Sequence, residues 1–595
     1  MSAQTGTPSF VPAAPGEGKK LRHWLRHVWS TPNPLWMREQ RQSARLTRTP
    51  FVLMVVTMVV AIIVCTVGVI MSLSASLATT GIALFHTFFS LAFFVVHIVG
   101  SAVAANGVAS EREGRTWEAV VLTGLAPQKI AVGKFLSAFT SILMYIVMLA
   151  PVGALPLMFG GITTVDILIA FFYLIVVAIL SVALGLAISS ALTSGRAAIL
   201  LTLVLSFNVS LFVLVFLGVA LSSVAHRLWP AVIEGAPVWL PTAYTRVPFS
   251  WQYATFLLAM PLGATVVGGW YFFEITVANI QGITDDRATG LKRWLVVCGP
   301  LVTVTGLMAV FALKNHLTSP AVAKVPALHS MPSTGLATLA LVLCLLVFWV
   351  FTLYVFQGEA IGPSRRVLIG WQRKRVSRWK RFLGPGMART MGLIACMGTV
   401  SLATVVLVAL ALSSWTTLLT TGTLAVYVMG YFLFLCGVAA FVRSRTAGVG
   451  MARFLLSLVI FLTILGPYIV VGTMVIVLVN DGEALLLGAP SPAFAFLEPL
   501  YTLRGMGMQW LTGSWFGGGL YGAVGLLLLW LGRKRCRRVV TEQIERWNQT
   551  EAWFASEDQN EYQSSDQTAP TAGLEAPPSA SVPAAPAAAG TPGAS

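Results

Sequence analysis

The stretch 166–190 reads DILIAFFYLIVVAILSVALGLAISS, and it decides the fold class. After Asp166 it contains no charged residue, and apolar and polar side chains do not alternate strictly. A run of about 20 apolar residues is long enough to cross a bilayer as a helix. The missing alternation argues against a strand of an outer-membrane barrel. The stretch therefore predicts a membrane-spanning helix, with Asp166 capping its first turn.

Similar apolar runs recur along the whole chain. The 595 residues are 56% hydrophobic and 10% charged, whereas about a quarter of the residues of a soluble domain are charged. Spans are predicted near 51–72, 82–105, 134–158, 166–190, 198–222, 252–275, 295–313, 335–357, 390–413, 419–442, 454–480 and 513–532. We therefore expect an all-α polytopic membrane protein with about twelve transmembrane helices.

The basic residues orient these spans. With the N-terminus in the cytoplasm, 34 of the 39 Lys and Arg residues fall on predicted cytoplasmic segments, and 5 fall on outer loops. Such an excess on the cytoplasmic side is the rule for helical membrane proteins. The distribution predicts a plasma (inner) membrane protein with both termini in the cytoplasm. It also accounts for the net charge of +17 without a nucleic-acid partner.

The twelve predicted spans divide into six and six. A Gly-Ala-Pro loop stands before the last span of each group, at 235–237 and at 488–490. Internal repeats are common in transport proteins. We therefore predict a six-span domain over 51–280 and a second, diverged six-span half over 281–540.

The two ends of the chain differ from the spans. Residues 1–18 and most of the predicted cytoplasmic tail, 541–595, are expected to be disordered, because they hold too little apolar surface to fold alone. Residues 19–50 are a basic segment before the first span. Four apolar residues in it share one helical face opposite basic side chains: Leu21, Trp24, Leu25 and Val28. They predict an amphipathic helix on the lipid bilayer surface. The alternative is a soluble helix packed on another domain.

A polar connection of about two dozen residues, within 106–134, separates the second and third spans. Ser110 and Glu113 have the spacing of a capping box, in which each side chain binds the backbone N–H of the other residue. Gly124 is a plausible stop for the helix that follows. Pro127 suits the first turn of the next helix. The pattern therefore predicts a capped short helix, a break, and a second helix that continues into the third span.

Motifs in this region form an ordered set: Asn33-Pro34, Arg38-Glu39, Glu111-Arg112-Glu113-Gly114-Arg115-Thr116 with Glu118, Leu125-Ala126-Pro127, Gly133-Lys134, Pro156 and Gly160-Gly161. Over about residues 30–280 the chain resembles ABC transporter permeases of the type-2 exporter family. That family has the loop pattern Glu-Arg-Glu-x-Gly-Thr. Here Gly114 stands earlier than in that pattern, and Arg115 separates it from Thr116.

The resemblance implies the permease subunit of an ATP-driven exporter. In that family, the cytoplasmic helix after the second span is a coupling helix, which contacts a separate ATPase and passes its motion to the spans. The implied ATPase-coupling segment contains Glu111, Arg112, Glu113, Gly114, Thr116 and Trp117. Capping of the local helix alone is the alternative role for its acidic residues.

The chain itself contains no Gly-x-x-x-x-Gly-Lys-Ser/Thr phosphate loop. ATP and Mg would therefore be bound by the partner ATPase, and this chain would be neither the enzyme nor the holder of a cofactor. Twelve spans are compatible with a fused pair of halves, with one protomer of a homodimer, or with pairing to a second permease.

The second half lacks a Glu-Arg-Glu-Gly motif after its second span. Its segment 358–389 instead carries nine basic and three aromatic residues. This composition predicts an interfacial helix on anionic lipid, with a degenerate coupling segment as the alternative.

Two other functions are open to a chain of this class. An ion-coupled secondary transporter usually needs carboxylates near the membrane midplane, and few are present in the spans. An intramembrane enzyme needs polar residues at one depth. His86 and His97 lie eleven residues apart, about 16 Å along a helix, so they cannot ligate one metal. No metal site and no catalytic set are predicted.

Overall fold

The computed structural model of the protein describes residues 33–43, 48–232, 244–282, 284–313, 333–412, 415–446, 448–478, 491–492 and 507–567. Within these ranges the chain forms helices joined by loops and turns, and no strand occurs. The predicted interfacial helix, with Leu21, Trp24, Leu25 and Val28, lies outside the described residues, as does the segment 1–18.

Eleven helices belong to the part of the chain before residue 281. They are α1 (Pro34–Ser43), α2 (Arg48–Ser74), α3 (Leu77–Glu113), α4 (Trp117–Leu122), α5 (Pro127–Gly153), α6 (Pro156–Phe159), α7 (Thr164–Ala191), α8 (Gly195–Phe212), α9 (Leu221–Leu228), α10 (Trp251–Tyr253) and α11 (Met260–Ile280). Two π-helical segments, Val213–Ala220 and Ala254–Ala259, directly follow α8 and α10.

Eight helices are described after residue 281. They are α12 (Thr289–Leu313), α13 (Ser333–Phe356), α14 (Arg365–Arg373), α15 (Arg378–Phe382), α16 (Met387–Leu412), α17 (Trp415–Arg443), α18 (Val449–Leu478) and α19 (Gly507–Gln567).

Eleven helices in the described ranges are long and apolar enough to cross a membrane. A shorter apolar helix, Ala340–Phe356, lies within α13, where the eighth span is predicted. The all-α, multi-pass class is therefore confirmed by the length and composition of the helices. The number twelve and the division into two halves stay predictions.

The core of the first domain lies between α3 and α7. Phe85, Phe88 and Phe89 of α3 are fully buried. A Cβ atom on Gly185 of α7 would lie 2.0 Å from the carbonyl oxygen of Ser101 in α3, so the two backbones touch. Small residues allow such close approach between membrane helices, where packing rather than hydrophobicity drives association. The tightly packed pair α3–α7 gives the first domain a rigid centre.

A second core surrounds Trp349 of α13 and Phe432 of α17, both completely buried. Here α17 and α19 approach through glycines. A Cβ atom on Gly430 would lie 2.0 Å from the carbonyl oxygen of Gly518. Each predicted half therefore has its own aromatic core and its own close helix contact.

The chain divides into two units, 1–537 and 538–595. The described part of the second unit is helical to Gln567. The stretch 541–567 is therefore helical, not disordered as expected, while the expected disorder of the rest of the tail stays a prediction. That stretch contains no Gly or Pro and is rich in Glu and Gln, which favour helix. Residues 568–595 lie outside the described ranges.

Candidate functional site

The second span does not stop at the membrane boundary expected from its apolar residues. Its helix α3 has 37 residues and continues to Glu113. There the N–H of Thr116 donates to the carbonyl of Glu111 at 2.9 Å, and the N–H of Arg115 donates to that of Arg112 at 3.2 Å. This pair of bonds is a Schellman motif. In that motif the residue just before the last N–H donor takes a left-handed conformation. Arg115 holds that position with φ 56°, where glycine is favoured.

The rest of the connection follows the predicted order. The short helix α4 is followed by Gly124 with φ 70°, a left-handed residue. Helix α5 then begins with Pro127 in its first turn. The predicted break at Gly124 and the predicted helix start at Pro127 are both confirmed.

The predicted capping box is wrong. Ser110 lies inside α3, and its hydroxyl donates to the carbonyl of Asn106. Its own N–H is therefore within the helix and needs no cap. The Glu113 carboxylate instead accepts from the backbone N–H of Gly195, at 2.7 Å. Gly195 is the first residue of α8, where Ser194 makes no side-chain capping bond. Glu113 thus caps the N-terminus of α8 rather than that of its own helix. The helix dipole favours a negative charge at this position.

Four side chains form an ionic cluster beside this turn: Arg38, Glu39, Glu111 and Lys134. Glu111 lies 2.5 Å from Arg38 and 2.9 Å from Lys134. The Lys134 ammonium also lies 2.7 Å from Glu39 and donates to the carbonyl of Gly107 at 2.7 Å. One ammonium therefore joins α1, α3 and α5.

The position of Lys134 makes this ammonium important for stability. Its side chain is 1% exposed. A buried charge is costly unless opposite charges and hydrogen bonds compensate for it. An ammonium has three donors, and here two carboxylates and a carbonyl surround it. The ionic cluster is electrically neutral, with two cations and two anions.

Helix α1 is also fixed by the residues that precede and face it. The amide of Asn33 donates to the carbonyl of Lys129 at 2.7 Å, and its oxygen accepts from the N–H of Leu35 at 3.0 Å. A Cβ atom on Gly133 would lie 2.7 Å from that amide oxygen, so only glycine fits beside Asn33. The side chain of Leu35 is buried in a small apolar cluster with Val120 of α4. The segment before the first span is thereby part of the same site.

Arg112 links the turn to the far end of two other spans. Its guanidinium donates to the carbonyl of Ser190 at 2.7 Å and to that of Asn279 at 3.4 Å. It also lies over the ring of Trp117, 5.4 Å from the centroid. These contacts join the end of α3 to the ends of α7 and α11 and to the start of α4.

The six residues predicted for the coupling segment thus fall into two groups. Glu111 and Arg112 are engaged inside the chain, and Trp117 is half-buried against Arg112. Gly114 and Thr116 lie on the exposed turn, and Glu113 is exposed while it caps α8. The structure brings all six together around one turn.

Helix α4 leaves an exposed face beyond these residues. Glu118 is exposed, and the apolar side chains Val121 and Leu122 are 50% and 86% exposed. Val120 points into the structure and is 3% exposed, and Trp117 packs beside it. An exposed apolar surface on a firmly held short helix is typical of an interaction site.

The corresponding segment of the second half contains a buried ion pair. Lys292 of α12 lies 2.7 Å from Glu359, and their side chains are 1% and 5% exposed. Lys292 also donates to the carbonyl of Gly384 at 2.6 Å, and Glu359 accepts from the N–H of Gly386 at 2.7 Å. The basic helices α14 and α15 lie between these anchor points. Trp379 of α15 is 82% exposed.

Polar groups at the opposite end of α7 are structural. Thr163 and Asp166 form a reciprocal capping box, which confirms the predicted cap. Nearby, the hydroxyl of Tyr244 lies 2.6 Å from the carbonyl oxygen of Leu257 and 2.9 Å from the Tyr173 hydroxyl. Burial, followed by the neighbouring Tyr173, raises the pKa of Tyr244 well above its usual value. Tyr244 therefore stays protonated at neutral pH.

The histidines of the second span lie in apolar surroundings. His97 is fully buried, with its Nδ1 2.7 Å from the hydroxyl of Ser210 and its ring stacked on Phe93. The described residues contain no group of three His, Cys, Asp or Glu side chains that could hold a metal ion.

Sequence reasoning missed the partners of the buried lysines. Lys134 and Lys292 each stand at the start of an apolar run, and Glu39 and Glu359 each lie far away in sequence. An ionisable residue at the edge of a span is a signal in its own right, because its burial requires a partner. The identity of that partner depends on which helix ends meet.

No protein-family model matches the chain, and no curated protein matches it either.

Proposed function

We propose that this chain is the membrane-spanning permease subunit of an ATP-driven ABC exporter, which acts with a separate cytoplasmic ATPase. One observation carries the proposal: the turn at 111–117 is bonded to five helices and precedes a short helix with an exposed apolar face. Such a segment can transmit a displacement from a bound partner to the membrane-spanning helices.

The bonds define the route of that displacement. Glu111 holds α1 and α5 through the ionic cluster. Arg112 holds α7 and α11, and Glu113 holds the start of α8. Ion pairs and hydrogen bonds stiffen an element most where breaking one leaves a buried group, such as the Lys134 ammonium, with one partner fewer. The α4 helix therefore moves together with the helix ends beneath it.

The contact surface in this proposal is the exposed part of the segment, not its acidic motif. Glu111 is already ion-paired and Arg112 is already hydrogen-bonded within the chain. Val121 and Leu122 are exposed and apolar, and Glu118 beside them is charged. The partner ATPase would bury Leu122 in an apolar groove, and ATP and Mg would be bound by that ATPase.

The proposal is tested by replacing Leu122 with Arg. We expect a phosphate-loop ATPase in a reading frame next to this chain's gene. The variant is co-expressed with that ATPase, and co-purification and ATP hydrolysis are measured. We expect loss of co-purification and of permease-stimulated hydrolysis, because a charge cannot enter an apolar groove without a partner.

Met158→Arg is the matched control. Met158 is 84% exposed, similar to Leu122, and it follows the other end of helix α5. Its replacement should leave both measurements unchanged. Equal behaviour of the two variants, or the absence of a neighbouring ATPase gene, would contradict the coupling role and favour an ion-coupled secondary transporter.

A further inference from the structure

A cavity of about 660 Å³ lies where the two predicted halves meet. It is bounded by the end of α11, the start of α12, the end of α13, the end of α17 and the start of α18. Its volume falls in the range of ligand-binding sites, about 300–1,000 Å³. Asn279, whose carbonyl accepts from Arg112, lines it. The cavity is therefore next to the coupling segment but separate from its exposed face.

Three arginines line this cavity: Arg287, Arg443 and Arg453. Each donates to backbone carbonyl oxygens. Arg287 binds the carbonyl of Gln281 at 2.7 Å, and Arg453 binds that of Val355 at 3.3 Å. Within the described ranges, none of the three arginines forms an ion pair.

The two acidic residues of the lining are already neutralised. Glu359 pairs with Lys292 at 2.7 Å, and Asp285 pairs with Arg366 at 3.1 Å. Neither Lys292 nor Arg366 lines the cavity. Arg287 is exposed, so the uncompensated positive charge on the cavity wall is that of the less exposed Arg443 and Arg453.

Two further features point to an anionic ligand. Arg443 is 7% exposed, which is unusual for an arginine without a carboxylate partner. The Nε atom of Arg453 is buried and has no hydrogen-bond partner in the described part of the chain. A buried donor without an acceptor costs free energy, and a bound anion would satisfy it.

Most of the remaining wall is apolar or aromatic. It includes Tyr271, Ile275, Leu291, Phe351, Tyr354 and Phe356. A cationic end beside an apolar wall matches an amphiphile that has a negative headgroup and an acyl chain. Arg443 ends α17 and Arg453 lies near the start of α18, ends that the predicted orientation places on the cytoplasmic side. Basic pockets between membrane helices on that side bind acidic lipid headgroups.

We propose that this cavity binds one acidic phospholipid, with its phosphate against Arg443 and Arg453 and one of its two acyl chains along the apolar wall. The site holds the two predicted halves together through the lipid. It does not depend on ATPase coupling, so its failure would leave the proposed function intact.

The test is native mass spectrometry on the delipidated full-length chain, titrated with phosphatidylglycerol. Arg453→Gln removes a cation and the unpartnered donor, and we expect phosphatidylglycerol to bind about tenfold more weakly. Arg389→Gln is the matched control, because Arg389 also donates to a backbone carbonyl but does not line the cavity. It should bind as the wild type does.

Further measurements distinguish binding of a lipid from binding of a soluble phosphate, and they include a second variant in case the first does not fold. Leu291→Trp fills the apolar part without touching an arginine and should also weaken phosphatidylglycerol binding. Phosphatidylcholine should bind at least tenfold more weakly than phosphatidylglycerol. The proposal is overturned if Arg453→Gln and Leu291→Trp both bind as the wild type does, or if phosphatidylcholine binds equally. It is also overturned if glycerol phosphate displaces the lipid at equal concentration.

Discussion

The segments after the second span of each predicted half handle their charges differently. In the first, Glu111 joins a four-residue cluster whose outer cation, Arg38, is 45% exposed. In the second, Lys292 and Glu359 form a closed pair that is 95% buried or more on each side. The first segment presents the apolar Leu122 outward, and the second presents Trp379 among basic residues.

The difference lies in the surface that each connection presents. Both connections are fixed by a buried lysine at the start of a span, Lys134 or Lys292. What varies is the short helix that the fixed connection displays. One is sparsely charged and suits a protein groove, and the other is strongly basic and suits anionic lipid.

The largest expected effect on the free energy of unfolding is in the first segment. Lys134→Met would leave Glu39 and Glu111 near each other without the shared cation. We expect a loss of about 3–5 kcal/mol in the free energy of unfolding, as for other broken buried pairs. Lys129→Met, an exposed lysine on the same helix, should change it by less than about 0.5 kcal/mol. Denaturant titration of the purified protein measures both, and similar losses would refute the role of the ionic cluster.

A direct comparison of the two segments follows from their carboxylates. Glu359→Gln should cost about 3 kcal/mol, because Lys292 would be left buried without a charged partner. Glu111→Gln should cost about 1 kcal/mol, because Lys134 keeps Glu39 and Arg38 is partly solvated. Denaturant titration of the two variants compares their losses in the free energy of unfolding. The reverse order would show that the first segment is the more tightly closed of the two.

Two arginines with a left-handed backbone conformation are sites where a substitution should increase stability. Arg115 and Arg375 have φ angles of 56° and 44°, each in a Schellman turn. Replacement of either by Gly should stabilise the protein by about 0.5–1 kcal/mol, since only glycine adopts this conformation freely. Arg373→Gly, at a helical position two residues before Arg375, should instead destabilise it by up to about 1 kcal/mol. Thermal unfolding distinguishes the two signs.

The smallest effect on stability is expected for the exposed apolar residues. Leu122→Ala and Trp379→Ala should each change the free energy of unfolding by less than about 0.5 kcal/mol, because both side chains are largely exposed. Under the proposed coupling role, only Leu122→Ala should lower ATP hydrolysis by the partner ATPase. A fall for Trp379→Ala of equal size would mean that both segments contact the ATPase.

The acidic motif shows why the site was only partly predictable. The positions of Gly124 and Pro127 were readable because turn and helix-start chemistry is local. The role of Ser110 and Glu113 was misjudged because the same spacing occurs inside a helix, and the sequence does not say where α3 ends. The α3 helix continues past its apolar residues because its polar end is packed against α7 and α8.

The sequence by itself determined the class of the protein: many helices long enough to cross a membrane, with polar connections between them. Hydropathy and turn residues determine structure over a few neighbouring positions, so their effect can be predicted without knowledge of the fold. Only the tertiary structure decided that Lys134 meets Glu39 and Glu111, that Glu113 caps α8, and that three arginines share one cavity. Those contacts join residues far apart in the chain. They are selected because a charge that helix packing removes from water must find a partner, and which partners are in reach depends on all the neighbouring helices at once.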